Sequence, residues 1–91
     1  MVKLFMYEIY VLKSLKDVNL YTGLTSNLKR RLEEHNKKIG GKYTKNNSPF
    51  KLIFYEAFLN KKDAVKDELF LKSGYGREVL KGKIQNYLEN S

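Results

Sequence analysis

Tyr10, Tyr21, Arg31, His35 and Glu68 are the side chains of this sequence whose types and spacing could move protons, stabilise negative charge or hold a metal. The stretch LYTGLTSNLKRRLEEH, from Leu20 to His35, carries three of them, and His35 is the only histidine in the chain. Arg31 and His35 lie four residues apart, so on a helix they share a face. Leu28 and Leu32 set the buried side of that helix, and Arg31 falls beside it. A solvated basic face with a satisfied histidine would account for the same residues. Glu68 falls within an arc of Ala64, Val65, Leu69 and Leu71 at about 100° per residue. A carboxylate rarely faces a core unless it is paired or ligates a metal. A pair with Lys72, one turn on, explains Lys72 but not the inward position of Glu68.

The elements that must position these groups follow from pattern. Leu4 to Leu12 (LFMYEIYVL) reads as a strand, LYTG as a second, and the polar KSLKDVN between them as a hairpin loop. If Tyr10 stands across from Tyr21, both phenols project from one sheet face. Gly23 then leaves room for a backbone or a phosphate to approach. Thr25, Ser26 and Asn27 are N-cap candidates for a helix over LKRRLEEHNKK. KIGGKYTKNNSPF reads as loop and KLIFYEAF as a third strand. Asn60 is expected to cap a helix from Lys61 to Ser73, with Asp63 suited to its first turn. SGYG breaks the chain before a last helix from Arg77 to about Glu89, whose Leu80, Ile84, Tyr87 and Leu88 form one stripe. The fold class is α+β, a small three-stranded antiparallel sheet flanked by helices in the order β-β-α-β-α-α.

Composition narrows the chemistry. The 91 residues suit one domain spanning 1–91. Eighteen Lys and Arg against ten Asp and Glu give a net charge of +8, which suits a polyanionic partner such as nucleic acid, although lysine-rich surfaces also serve solubility. The absence of cysteine excludes disulfides, thiolate zinc sites and cysteine nucleophiles, and a single histidine excludes a multi-histidine zinc site within one chain. A metal here would have oxygen ligands, which suits Mg²⁺ or Mn²⁺. The sequence has no apolar run of membrane-spanning length, and its first residues read as a strand, so a cytoplasmic protein without membrane contact is expected.

The series EIYVL, LYTG, TSNLKRRLEEHN, KYT, PFKLIFYEAF and DAVKDELFLKSGYG resembles the GIY-YIG nuclease superfamily, in particular its small stand-alone bacterial members, which are similar to the N-terminal domain of a repair excinuclease. The resemblance runs from about Tyr7 to Leu80. It implies a metal-dependent DNA endonuclease, structure-directed or weakly sequence-selective, acting in DNA repair or recombination. It assigns Tyr10 and Tyr21 to the two motif tyrosines, Gly23 to the motif glycine, Arg31 to the helix arginine eight residues later and Glu68 to the metal ligand, with His35 as a histidine that some members add. It makes Tyr10 the general base and Tyr21 the group that orients water or phosphate. His35, with the more suitable reference pKa, is the rival base. Gly23, Arg30, Lys42, Tyr43 and Lys45 are the expected DNA contacts. The first motif lacks its usual glycine, reading Glu8-Ile9-Tyr10, and neither Asn86 nor Asn90 fits the asparagine found near the end of many such domains. A basic nucleic-acid-binding module without catalysis is the competing reading.

Overall fold

The computed structural model describes residues 5–16, 18–37 and 49–90. Three antiparallel strands, β1 (Tyr7–Ser14), β2 (Leu20–Thr25) and β3 (Phe50–Phe58), form a sheet in the order β2-β1-β3. The helices are α1 (Leu28–Asn36), α2 (Lys61–Lys72), α3 (Gly74–Lys83) and α4 (Gln85–Glu89). The α+β class and element order agree with the sequence reading. The last helix, however, is divided at Ile84, and the SGYG segment is not a loop. Ser73 alone separates α2 from α3, and Gly74 to Gly76 form the first turn of α3. The Ser73 hydroxyl donates to the Phe70 carbonyl at 2.6 Å and accepts from the Gly76 N–H at 3.0 Å, so one side chain closes one helix and caps the next.

Strand β1 is central, and its alternation separates two cores. Ile9 and Val11 face Ala64, Leu71 and Leu80 of α2 and α3. Tyr10 and Leu12 face the opposite way, with Phe50, toward Leu28 and Leu32 of α1. A bulge opposite Val11 and Leu12 inserts Ile53 into β3, and both Ile53 and Phe54 then pack on the α2–α3 side. Asn27 caps α1 by accepting from the Arg30 N–H at 3.1 Å. At the far end of α1, Asn36 accepts from the Phe50 N–H at 2.6 Å and donates to the Phe50 carbonyl at 3.3 Å, pinning the helix to the start of β3.

One carboxylate opposes this packing. Asp67 on α2 faces Glu56 of β3, itself 3.9 Å from Lys83 of α3. Burial, then the Glu56 charge, pushes Asp67 up from 3.8 to about 6 against the pull of Lys83. The folded state therefore binds the extra proton first, and stability falls as pH rises between those two values and stays lower above them. Asp67→Asn is expected to raise the unfolding temperature at about pH 8 and to leave it nearly unchanged at about pH 2.5, where wild-type Asp67 is almost fully protonated in both states. Thermal unfolding followed by circular dichroism at the two pH values checks this.

Candidate active site

Tyr10 lies opposite Gly23, not Tyr21; the residue across from Tyr21 is Leu12. The expected pairing is thus displaced by two residues, which preserves the face but changes the neighbour. Both phenols project toward α1, with ring centroids 6.4 Å apart. The displacement also changes the purpose of Gly23. A Cβ there would meet the Tyr10 ring, 2.5 Å from Cζ, so the space over the glycine holds tyrosine rather than an approaching phosphate.

Helix α1 delivers His35 to the same place. Its Asn27 cap and the inward Leu28 and Leu32 fix the helix rotation, and His35, on that stripe, is 0% exposed. Its Nε2 lies 2.9 Å from the hydroxyl of Tyr10, which is 1% exposed. The rings of Tyr21 and Phe50 stand 5.0 and 6.3 Å from the imidazole. Nδ1 is buried without a hydrogen-bond partner among the described residues. An orphaned buried N–H is rarer than an orphaned acceptor, so the favoured tautomer carries its proton on Nε2 and donates to Tyr10. Burial, then repulsion by Arg31, lowers His35 from 6.5 to about 4, with Glu34 partly opposing. At neutral pH His35 is an uncharged, enclosed ring hydrogen-bonded to Tyr10.

Arg31 faces the Tyr10 hydroxyl from the next turn of α1, and its guanidinium pKa is raised, chiefly by that contact. Its Nη1 also donates to Glu34 Oε1 at 3.2 Å. The pKa of Tyr10 is raised as well: burial outweighs Arg31, and the charges of Tyr21 and Glu68 add to the rise. Arg30 points elsewhere, into a groove of about 770 Å³ with Phe5, Glu8 and Asn27. Sequence reasoning missed Glu34, although its i,i+3 spacing from Arg31 within RRLEEH signals the pair.

Glu68 acts on Tyr10 through its charge, from α2. Helix α2 packs on the face opposite α1, against β2 and β1, and β2 is an edge strand. The Glu68 side chain is 19% exposed and pairs with Lys72 at 3.2 Å. The expected apolar arc is narrower than it reads: Ala64 and Leu71 are buried, whereas Leu69 is 65% exposed and Val65 is also exposed. Glu68 borders the buried stripe and is not enclosed by it. Among the described residues no group of three or more His, Cys, Asp or Glu could hold a metal. A single half-buried carboxylate still fits a hard cation such as Mg²⁺ that keeps waters and takes substrate phosphate oxygens. Lys42, Tyr43 and Lys45 lie outside the described residues.

The GIY-YIG catalytic domain pattern matches residues 6–83. The chain belongs to the GIY-YIG family. It is 45% identical over 67 residues to a UPF0213 protein of Clostridium perfringens, covering 74% of this chain and 71% of that one. A UPF0213 protein of Pediococcus acidilactici is 43% identical over 77 residues, covering 82% and 74% respectively. The solution NMR structure of a UPF0213 protein from Bacillus halodurans superposes with a TM-score of 0.51 at 32% identity, over 82% of this chain and 81% of that one. In this member, the glycine of the second motif serves the tyrosine of the first. Gly23→Ala should therefore cost about 1–3 kcal/mol of stability by overpacking and separate Tyr10 from His35. Chemical denaturation, with the side-chain NMR signals of His35, measures both effects.

Proposed function

We propose that this chain is a metal-dependent endonuclease that hydrolyses DNA phosphodiester bonds in a structure-directed or weakly sequence-selective way, in the cytoplasm and in the service of DNA repair or recombination. The observation that carries this reading is the Tyr10 hydroxyl, held 2.9 Å from His35 Nε2, faced by Arg31 and within electrostatic range of Glu68. Membership of the family supports a nuclease, and the net charge of +8 supports a polyanionic substrate.

Each residue has a role that its surroundings suit. Arg31, already charged and fixed by its helix, meets the phosphate oxygens and stabilises the charge that builds on phosphorus. Glu68 would hold one divalent cation, Mg²⁺ or Mn²⁺, after parting from Lys72. When bound, that cation supplies Lewis-acid stabilisation of the phosphate and of the leaving 3′-oxygen. The hydrogen bond from Arg31 favours the deprotonated oxygen of Tyr10, while burial disfavours it; in its Nε2–H tautomer His35 donates to the same oxygen. The balance leaves Tyr10 protonated in the free protein at neutral pH, and its rare phenolate is the base that takes a proton from water. Tyr21, beside it, orients the water or the phosphate. His35 positions Tyr10 and does not itself touch the substrate.

The competing reading, a DNA-binding module without catalysis, draws on the burial of Tyr10 and on the Glu68–Lys72 ion pair. Incubation with branched, nicked and plain duplex DNA, with and without Mg²⁺ or Mn²⁺, separates the two. Metal-dependent cleavage that Glu68→Ala abolishes is expected, and binding without cleavage on every substrate would favour the module. The pH profile then identifies the base. With Tyr10 as base, the single-turnover rate should climb about tenfold per pH unit from roughly pH 7 to 9, because its pKa lies above that window. With His35 as base, the rate would be flat across that window, since His35 titrates near 4.

A further inference from the structure

A groove leads away from Tyr21 along the edge of the sheet, and the catalytic roles above leave it unused. It begins as a space of about 370 Å³ lined by Asn19, Leu20, Tyr21 and Arg77. A second space of about 400 Å³ shares Asn19, Leu20 and Arg77 with the first and continues between β2 and the α3–α4 segment. Lys13, Arg77 and Lys81 supply positive charge along it, while Val18, Ile84 and Leu88 supply apolar lining. Lys81 is partly offset by Glu78 at 3.6 Å.

Arg77 stands at the junction of the two spaces. Its Nη2 donates to the Leu20 carbonyl at 3.4 Å, which holds the guanidinium against the end of β2, one residue from Tyr21. The helix that carries it is placed by the Ser73 cap and by Gly76, where a Cβ would collide with the Phe70 carbonyl. A cation placed beside Tyr21, opening onto a partly apolar channel, suits a phosphate followed by its base. A paired duplex keeps its bases stacked inside and has nothing to offer an apolar wall, whereas unpaired nucleotides can lay their bases on it.

We propose that the strand carrying the scissile phosphate leaves the site through this groove as unpaired nucleotides, with Arg77 holding the phosphate next to the one at Tyr21. This rests on the nuclease reading and specifies its substrate as DNA with a single-stranded flank. The test is fluorescence anisotropy in metal-free buffer, comparing a labelled blunt duplex with the same duplex bearing a single-stranded overhang. Arg77→Gln keeps a polar side chain but removes the charge, and Val18→Asp alters a side chain that is 84% exposed and leaves the core untouched. The wild-type chain should bind the overhang at least about fivefold more tightly than the blunt duplex. Arg77→Gln should weaken overhang binding about three- to tenfold and lower its salt slope by about 1, and Val18→Asp should weaken it similarly, with blunt duplex little affected. Equal affinity of the wild type for the two DNAs would overturn the proposal. So would variants that weaken both alike, or variants that change neither, as when the groove serves a protein partner. Because binding is read without metal, an overhang preference in a protein that never cleaves would sustain the groove and sink the enzyme reading. Cleavage without that preference would do the reverse.

Discussion

The Tyr10 ring occupies the space that Gly23 leaves empty, and its hydroxyl ends at the His35 imidazole. Most of the site depends on that contact. It requires β1 in the middle of the sheet, so that Tyr10 has a strand neighbour on each side and a helix above. It requires a glycine opposite, since any side chain there would displace the ring. It requires α1 to be held at both ends, by Asn27 and by the Asn36–Phe50 pair of hydrogen bonds, because His35 lies in its last turn. A hydrogen bond sealed from water in this way is geometrically fixed, and the phenol oxygen it holds is the one that Arg31 faces.

The electrostatic arrangement follows from the same burial. Arg31 and His35 are one helical turn apart and could in principle both carry charge. Burial and Arg31 together hold the imidazole neutral, so the side of α1 facing Tyr10 presents one cation from this pair. Glu34 steadies that cation from the solvent side at 3.2 Å. The carboxylate whose charge acts on Tyr10 is Glu68 of α2, a helix packed on the other face of the sheet.

The sequence made some of this legible and concealed the rest. Strand alternation was readable from LFMYEIYVL and LYTG, and it correctly put Tyr10 and Tyr21 on one face. It could not supply the register, because a shift of two residues preserves every face; only the three-dimensional fit of a phenol over Gly23 distinguishes the two pairings. The inward stripe Leu28, Leu32 and His35 follows helical periodicity and was recognisable. The degree of enclosure of His35 depends on Tyr21 and Phe50, which come from other strands, and no local pattern reports it. Helical spacing overstated the buried arc of α2: Val65 and Leu69, which it placed inward, are exposed. Ser73 as a cap shared by two helices was hidden by the glycines after it, which read as a break.

The state of His35 is the point on which the chemistry of the site turns, and ¹⁵N–¹H correlation spectroscopy of the uniformly ¹⁵N-labelled protein reads it directly. With only one histidine in the chain, the assignment is unambiguous. A neutral ring with its proton on Nε2 and the lone pair on Nδ1, unchanged on acidification to about pH 5, is the expected result. A ring that becomes doubly protonated near pH 6.5, or one whose proton sits on Nδ1, would contradict it.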